Sequence, residues 1–203
     1  MNNNDDYFLI QQIQMYYYEL ENLKKDLYDE ERFIKLGEQT KNILIQIKKC
    51  ENKIKTLKQK LIDLKFMEIA TDVSKKSICQ RKKVGCIIVK NNEILASGYN
   101  HPPLEKKLCE FGCLKEIIFS DENKYEVCNA IHAEVNAIID ALKNGKNLEG
   151  STIYLTLSPC LTCVKLIIES GIKKIIYKNI HDDFRVFDMC EKYDVIIEKL
   201  NKN

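Results

Sequence analysis

Residues 132–134 read His-Ala-Glu, and residues 159–163 read Pro-Cys-Leu-Thr-Cys. One imidazole (His132) and two thiols three residues apart (Cys160, Cys163) form a three-donor set of the kind that holds zinc and leaves a fourth position open for water. Glu134 is not needed as a ligand; a carboxylate two residues after the histidine is placed to move protons beside that water. His132 opens a helical pattern that ends at Gly145, and Cys160 opens another that closes at Gly171, with Pro159 fixing the chain just before it. Helix N-termini carry partial positive charge, which favours the thiolates that zinc requires. Taken singly, a histidine is more often structural, and a C-x-x-C pair is as readily a redox pair or half of a structural site. Together, in order, and with the carboxylate offset by two, they point to a catalytic metal. A purely structural metal would leave Glu134 without a task.

Working outward, 84–90 (VGCIIVK) and 93–99 (EILASGY) read as two strands joined by an Asn91-Asn92 turn. Cys86 falls on the inward face of the first. After a cysteine-rich insert come a helix over 132–144, a strand over 151–157 (STIYLTL), a helix over 160–170 and a strand over 173–178 (KKIIYK). A helix over 184–193 and a strand over 195–200 follow, with Cys190 expected in the core. Strands alternating with helices imply an α/β sheet covered on both faces.

Residues 1–65 read differently. Ile43, Ile47, Cys50, Ile54, Leu57, Leu61 and Leu64 step alternately by four and three, an a/d seam held for three heptads. Ahead of it, Ile13, Tyr17, Leu20, Leu23, Leu27 and Ile34 make a looser apolar face, and Gly37 separates the two runs. Residues 1–40 carry nine acidic side chains against four basic ones, whereas 41–65 carry eight lysines against two acids. An acidic helix followed by a basic one suits an antiparallel hairpin used for packing or assembly. A helix over 66–76 then leads into the remainder of the chain.

The whole has 203 residues, enough for one domain plus an extension, and 45% hydrophobic content supports a core. No apolar run reaches membrane-spanning length. MNNNDDYFLI lacks the regions of a signal peptide, so a cytoplasmic setting is expected. A formal charge of +2 favours a small substrate over nucleic acid. Nine cysteines against three histidines argue for thiolate-rich zinc ligation rather than disulfides.

With these residues in hand, the H-x-E…P-C-x-x-C pattern resembles that of zinc nucleobase deaminases. The stretch from Phe66 to about Asp183 is similar to the deoxycytidylate (dCMP) deaminase family through KFMEIA, KSICQRKKVGCIIV, SGYN, IHAEVNAI, EGSTIYLTLSPCLTC and ESGIKKIIY. The resemblance implies a three-layer α/β/α cytidine-deaminase-like sandwich with a mixed sheet over 66–203, the N-terminal helical hairpin over 1–65 standing outside it. It implies hydrolysis of dCMP to dUMP, and a homo-oligomer, hexameric or built from dimers. By resemblance His132, Cys160 and Cys163 are the zinc ligands and Glu134 the proton shuttle. Asn100 approaches the sugar, Ala133 contributes to substrate binding, and the Ser158 carbonyl lies near the exocyclic amine. Several relatives hold a second, structural zinc where this chain has Cys79, Cys109, Cys113 and Cys128. Lys76, Ser77, Arg81 and Lys82 are candidates for phosphate contact. The chain reads Gly98-Tyr99-Asn100-His101-Pro102-Pro103 where the family often has G-Y-N-G-x-P, a loop that bears on nucleotide binding and on regulation by dCTP and dTTP.

Three other readings remain open at this stage: a deaminase of dCTP or CMP, a deaminase of a base within tRNA or single-stranded DNA, and a zinc-stabilised assembly protein. Against the second, the chain lacks an E-P-C-x-M-C run and aromatic-basic interleaving around the site. Against the third stands the intact Glu134.

Overall fold

The computed structural model describes residues 3–31, 37–105, 113, 128–181 and 183–201. Cys109 and Ile34 lie outside the described residues. By its internal contacts the chain divides into a helical unit running to Lys65 and a unit Phe66–Asn201.

The helical unit holds α1 (Asn3–Glu31) and the first part of α2 (Gly37–Ser74). Leu20 of α1 is buried against Ile47, Cys50 and Ile54 of α2, with Tyr16, Leu23, Leu27 and Ile43 packed around them. The α2 face is the one its heptads predict. On α1 the register differs: Tyr16 joins this cluster, while Tyr17 is exposed and its phenol accepts a hydrogen bond from Lys58 Nζ at 2.6 Å. A second difference is continuity. The composition changes after residue 65, yet α2 runs through it unbroken to Ser74. No glycine or proline occurs between Gly37 and Gly85 to stop it.

In the second unit five strands form one mixed sheet in the order β2-β1-β3-β4-β5. They are β1 (Gly85–Lys90), β2 (Glu93–Tyr99), β3 (Thr152–Leu157), β4 (Lys174–Asn179) and β5 (Ile196–Lys199). The β1 strand pairs antiparallel with β2 and β3, while β3–β4 and β4–β5 are parallel. Asn91 and Asn92 both take positive φ, 52° and 63°, the left-handed pair that closes a two-residue hairpin.

Alternation along the strands builds two cores. Cys86, Ile88, Ile153, Leu155, Ile175 and Tyr177 face α3 (Ala133–Lys143), α4 (Leu161–Glu169) and α5 (Arg185–Lys192). Ile87, Val89, Tyr154 and Ile176 face the end of α2 through Met67, Ala70 and Val73. The result is a three-layer α/β/α sandwich.

The α3 helix lies close on β2. A Cβ at Gly98 would sit on the Ala133 carbonyl oxygen and the Ala137 backbone nitrogen. Overpacking of this kind costs about 1–3 kcal/mol and moves the backbone. Gly98→Ala is therefore expected to lower the melting temperature and to displace the turn of α3 that carries Glu134, with loss of activity beyond the loss of folded protein. Unchanged kcat/KM in the folded fraction would contradict this close approach.

Candidate metal centre and its cavity

His132 is the N-cap of α3 and Cys160 the N-cap of α4. Both have extended backbones (φ −69°, ψ 153° and φ −80°, ψ 166°), and their carbonyls accept the first helical bonds from Asn136 and Val164. N-caps usually spend their side chains on the helix's own N–H groups. Here neither does, so imidazole and thiol are turned toward each other across the two helix starts. The sheet fixes their separation, because α3 follows the bridge between His101 and Ile131 beside β2, and α4 follows directly from β3 through Ser158 and Pro159. Asn136 ties α3 to β2 by donating to the Tyr99 carbonyl at 2.8 Å.

His132 Nδ1 lies 3.6 Å from Cys160 Sγ and 3.4 Å from Cys163 Sγ, and the three donor atoms all fall within 4.8 Å of one another. Zinc bonds of about 2.3 Å to sulfur and about 2.1 Å to nitrogen, at a tetrahedral angle, give a sulfur–nitrogen edge of about 3.6 Å. The donor set fits that ion. Among the described residues it is the only group of three or more such donors close enough to share a metal.

The electrostatics agree. The Cys160 thiol is lowered to about 3, first by the Cys163 thiol that hydrogen-bonds to it, then by His132, against the opposing effect of burial. Cys163, the donor of that bond, is pushed up. A cation in place of that shared proton lets both sulfurs be thiolates. Glu134 is 4% exposed, and burial raises its carboxyl above the ordinary range. The neighbouring His132 and Cys163 act on it in the opposite direction.

One cavity is lined by His132, Ala133, Glu134, Ser158, Cys160 and Asn100, and on its wall also by Arg81, Lys82 and His181. Asn100 spends its amide on the backbone: Val84 N donates to Oδ1 at 2.8 Å, and Nδ2 donates to the Lys82 carbonyl at 2.9 Å. It therefore holds the segment leading into β1, which brings Arg81 and Lys82 to the cavity. Lys76 and Ser77 are not among the lining residues. Ser77 is buried, its hydroxyl donating to the Asn100 carbonyl at 2.7 Å and accepting from Cys79 N at 3.2 Å. Cys79, Cys113 and Cys128 line the same cavity as thiols, and these three do not by themselves form a cluster of donors.

His181 belongs to no motif in the sequence. It follows β4, and its backbone N–H donates to Ser158 Oγ at 2.7 Å. Its side-chain Nδ1 is buried with no hydrogen-bond partner among the described residues. No local pattern announces it, because it reaches the site only through the parallel pairing of β3 with β4.

A mixed α/β sheet that sets two helix starts around a His/Cys/Cys zinc site, with a buried carboxylate alongside, defines a metal-dependent hydrolytic centre. The family model described as the cytidine and deoxycytidylate deaminase zinc-binding region matches residues 61–179, and the chain belongs to that family. The deoxycytidylate deaminase of Enterobacteria phage T2 is 34% identical over 160 residues, covering 63% of this chain and 79% of that protein. The human deoxycytidylate deaminase is 36% identical over 121 residues, covering 55% of this chain and 61% of that protein. Among solved structures, the dCMP deaminase of cyanophage S-TIM5 in complex with dCMP and dUMP is similar, with a TM-score of 0.56 and 33% identity. It covers 68% of this chain and 96% of that one. Among the described residues no helix is long and apolar enough to cross a membrane.

Proposed function

We propose that this chain hydrolyses dCMP to dUMP and ammonia. The observation that carries the reading is the buried Glu134 carboxylate beside His132, Cys160 and Cys163 on the wall of one cavity. The relatives named deoxycytidylate deaminase supply the substrate class. Residues 66–203 are the catalytic domain and 1–65 an extension outside it.

His132, Cys160 and Cys163 would hold the zinc. Bound there, the ion supplies a water of pKa near neutrality. The protein's own groups do the rest. Glu134, held in place by burial, takes a proton from the attacking water and delivers it to ring N3. It then takes the proton of the C4 hydroxyl so formed and passes it to the departing amine, leaving the C4 carbonyl of dUMP and ammonia. Burial raises the Glu134 pKa above the ordinary carboxylate range, in the direction that favours a group which must both take up and give back a proton. Ala133 begins α3, whose first N–H groups have no partner within the helix and are available to the base. The Ser158 carbonyl is suited to accept from the exocyclic amine. Asn100 frames the sugar with whatever hydrogen-bonding capacity its two backbone bonds leave. Arg81 and Lys82, which line the cavity, are suited to the phosphate in place of Lys76 and Ser77, which do not.

His181 Nδ1 has no partner among the described residues, and the nucleotide is the candidate. His181→Ala is expected to raise KM for dCMP by about tenfold, the effect of leaving one buried polar contact unmade, while zinc content stays the same. An unchanged KM would remove it from the substrate site.

A second zinc, structural, is proposed on Cys79, Cys113 and Cys128 with Cys109. What supports it is that three of these thiols line one cavity in a chain rich in free cysteines. The same reduced thiols support a cytoplasmic setting. The modest net charge supports a free nucleotide over nucleic acid as substrate. Ammonia release from dCMP, dCTP, CMP, deoxycytidine and an oligonucleotide tests the assignment. Preference for dCMP is expected, and preference for any of the others would replace it.

A further inference from the structure

Residues 7–18 of α1 read YFLIQQIQMYYY, without a single charge. The partner helix of the hairpin needs only one stripe of this surface, through Leu9, Tyr16 and Leu20. Two further stripes at helical spacing stay exposed: Tyr7, Ile10 and Tyr17 on one, and Phe8, Met15 and Tyr18 on the other. Tyr7 is 63% exposed and Tyr18 72%. A helix that is apolar on nearly all sides is built to be covered on more than one side.

The flanking charge decides what covers it. Asp5, Asp6, Glu19 and Glu21 bracket the segment, and no lysine or arginine precedes Lys24. Such a helix is repelled by an anionic membrane surface, which recruits basic amphipathic helices. Its partner must be basic and must offer an apolar groove. This chain carries such a surface. The 37–65 part of α2 has eight lysines against three acids. A groove along its seam with α1 is lined by the apolar Leu20, Ile54 and Ile62, by Tyr17 and Gln59, and by Lys55 and Lys58 against one acid, Glu51. Within the hairpin, Lys58 already receives a tyrosine of α1, with Nζ 5.2 Å from the Tyr17 ring centroid.

We propose that two copies of this chain pair through their hairpins. The acidic, aromatic α1 of each lies against the lysine-rich α2 of the other about a two-fold axis, forming a four-helix bundle. The arrangement is self-complementary, as an isologous interface must be, and it buries both exposed stripes. It does not depend on the deaminase assignment.

The test uses the full chain with Tyr18 replaced by the photocrosslinker p-benzoylphenylalanine. Irradiation is expected to give a covalent dimer on a denaturing gel, with the linked peptide lying in residues 37–65 of the second chain. Adding Phe8→Glu and Met15→Glu should reduce the dimer at least about tenfold. Both side chains are outside the hairpin core, so helicity by circular dichroism should be retained; if it is not, the crosslink map of the chain without them still decides. Crosslinks found only within single chains, crosslinks to residues beyond 65 of the second chain, or no crosslinks at all would each overturn the proposal.

Discussion

Glu134→Gln should leave zinc content and fold intact and lower kcat for dCMP by at least about 10²–10⁴-fold, the usual loss when a general acid–base is removed. The substitution keeps the shape and burial of the side chain and removes only its capacity to carry protons. Stability should move the other way. Burial raises the Glu134 pKa, so its ionised form opposes folding as pH rises through that value. The metal-free variant should therefore melt no lower than the metal-free parent at neutral pH. Near-normal turnover in a zinc-replete Glu134→Gln enzyme would assign the proton transfers to another group.

The second large effect concerns the metal. Protein purified without added zinc is expected to hold two equivalents, one in each proposed site. Cys160→Ala removes one of the two thiolates and should lose one equivalent together with all measurable deamination. It should also melt lower, because a ligand that binds only the folded state at a thousand times its Kd contributes about 4 kcal/mol. Replacing Cys79 and Cys113 should remove the other equivalent while His132, Cys160 and Cys163 keep theirs. A single equivalent, unchanged by replacing Cys79 and Cys113, would reject the structural site. Full metal content after Cys160→Ala would reject the catalytic one.

The sheet was legible because its strands are short β-branched runs with clear punctuation, such as Asn91-Asn92 and Gly171. The metal site was legible because its three donors and Glu134 fall in two short motifs at two helix starts, where N-cap geometry turns the side chains together. Long-range placement was not legible. Ser77 looks like an accessible hydroxyl in sequence, but the fold encloses it between Cys79 and Asn100. His181 joins Ser158 only because β4 lies parallel to β3. On α1 the register could not be read, because three apolar stripes compete and Tyr16 and Tyr17 fit neighbouring ones equally well. The change of composition after residue 65 looked like an element boundary, yet composition alone does not break a helix that contains no glycine or proline.

The central claim is that this cavity adds water to the base of dCMP and releases its amine. Incubating the zinc-loaded protein with dCMP in oxygen-18-enriched water, and weighing the product by mass spectrometry, tests that most directly. The account predicts dUMP carrying one solvent oxygen, formed by the parent enzyme and not by Glu134→Gln. Recovery of unchanged dCMP from the zinc-loaded parent, or dUMP without the solvent isotope, would contradict it.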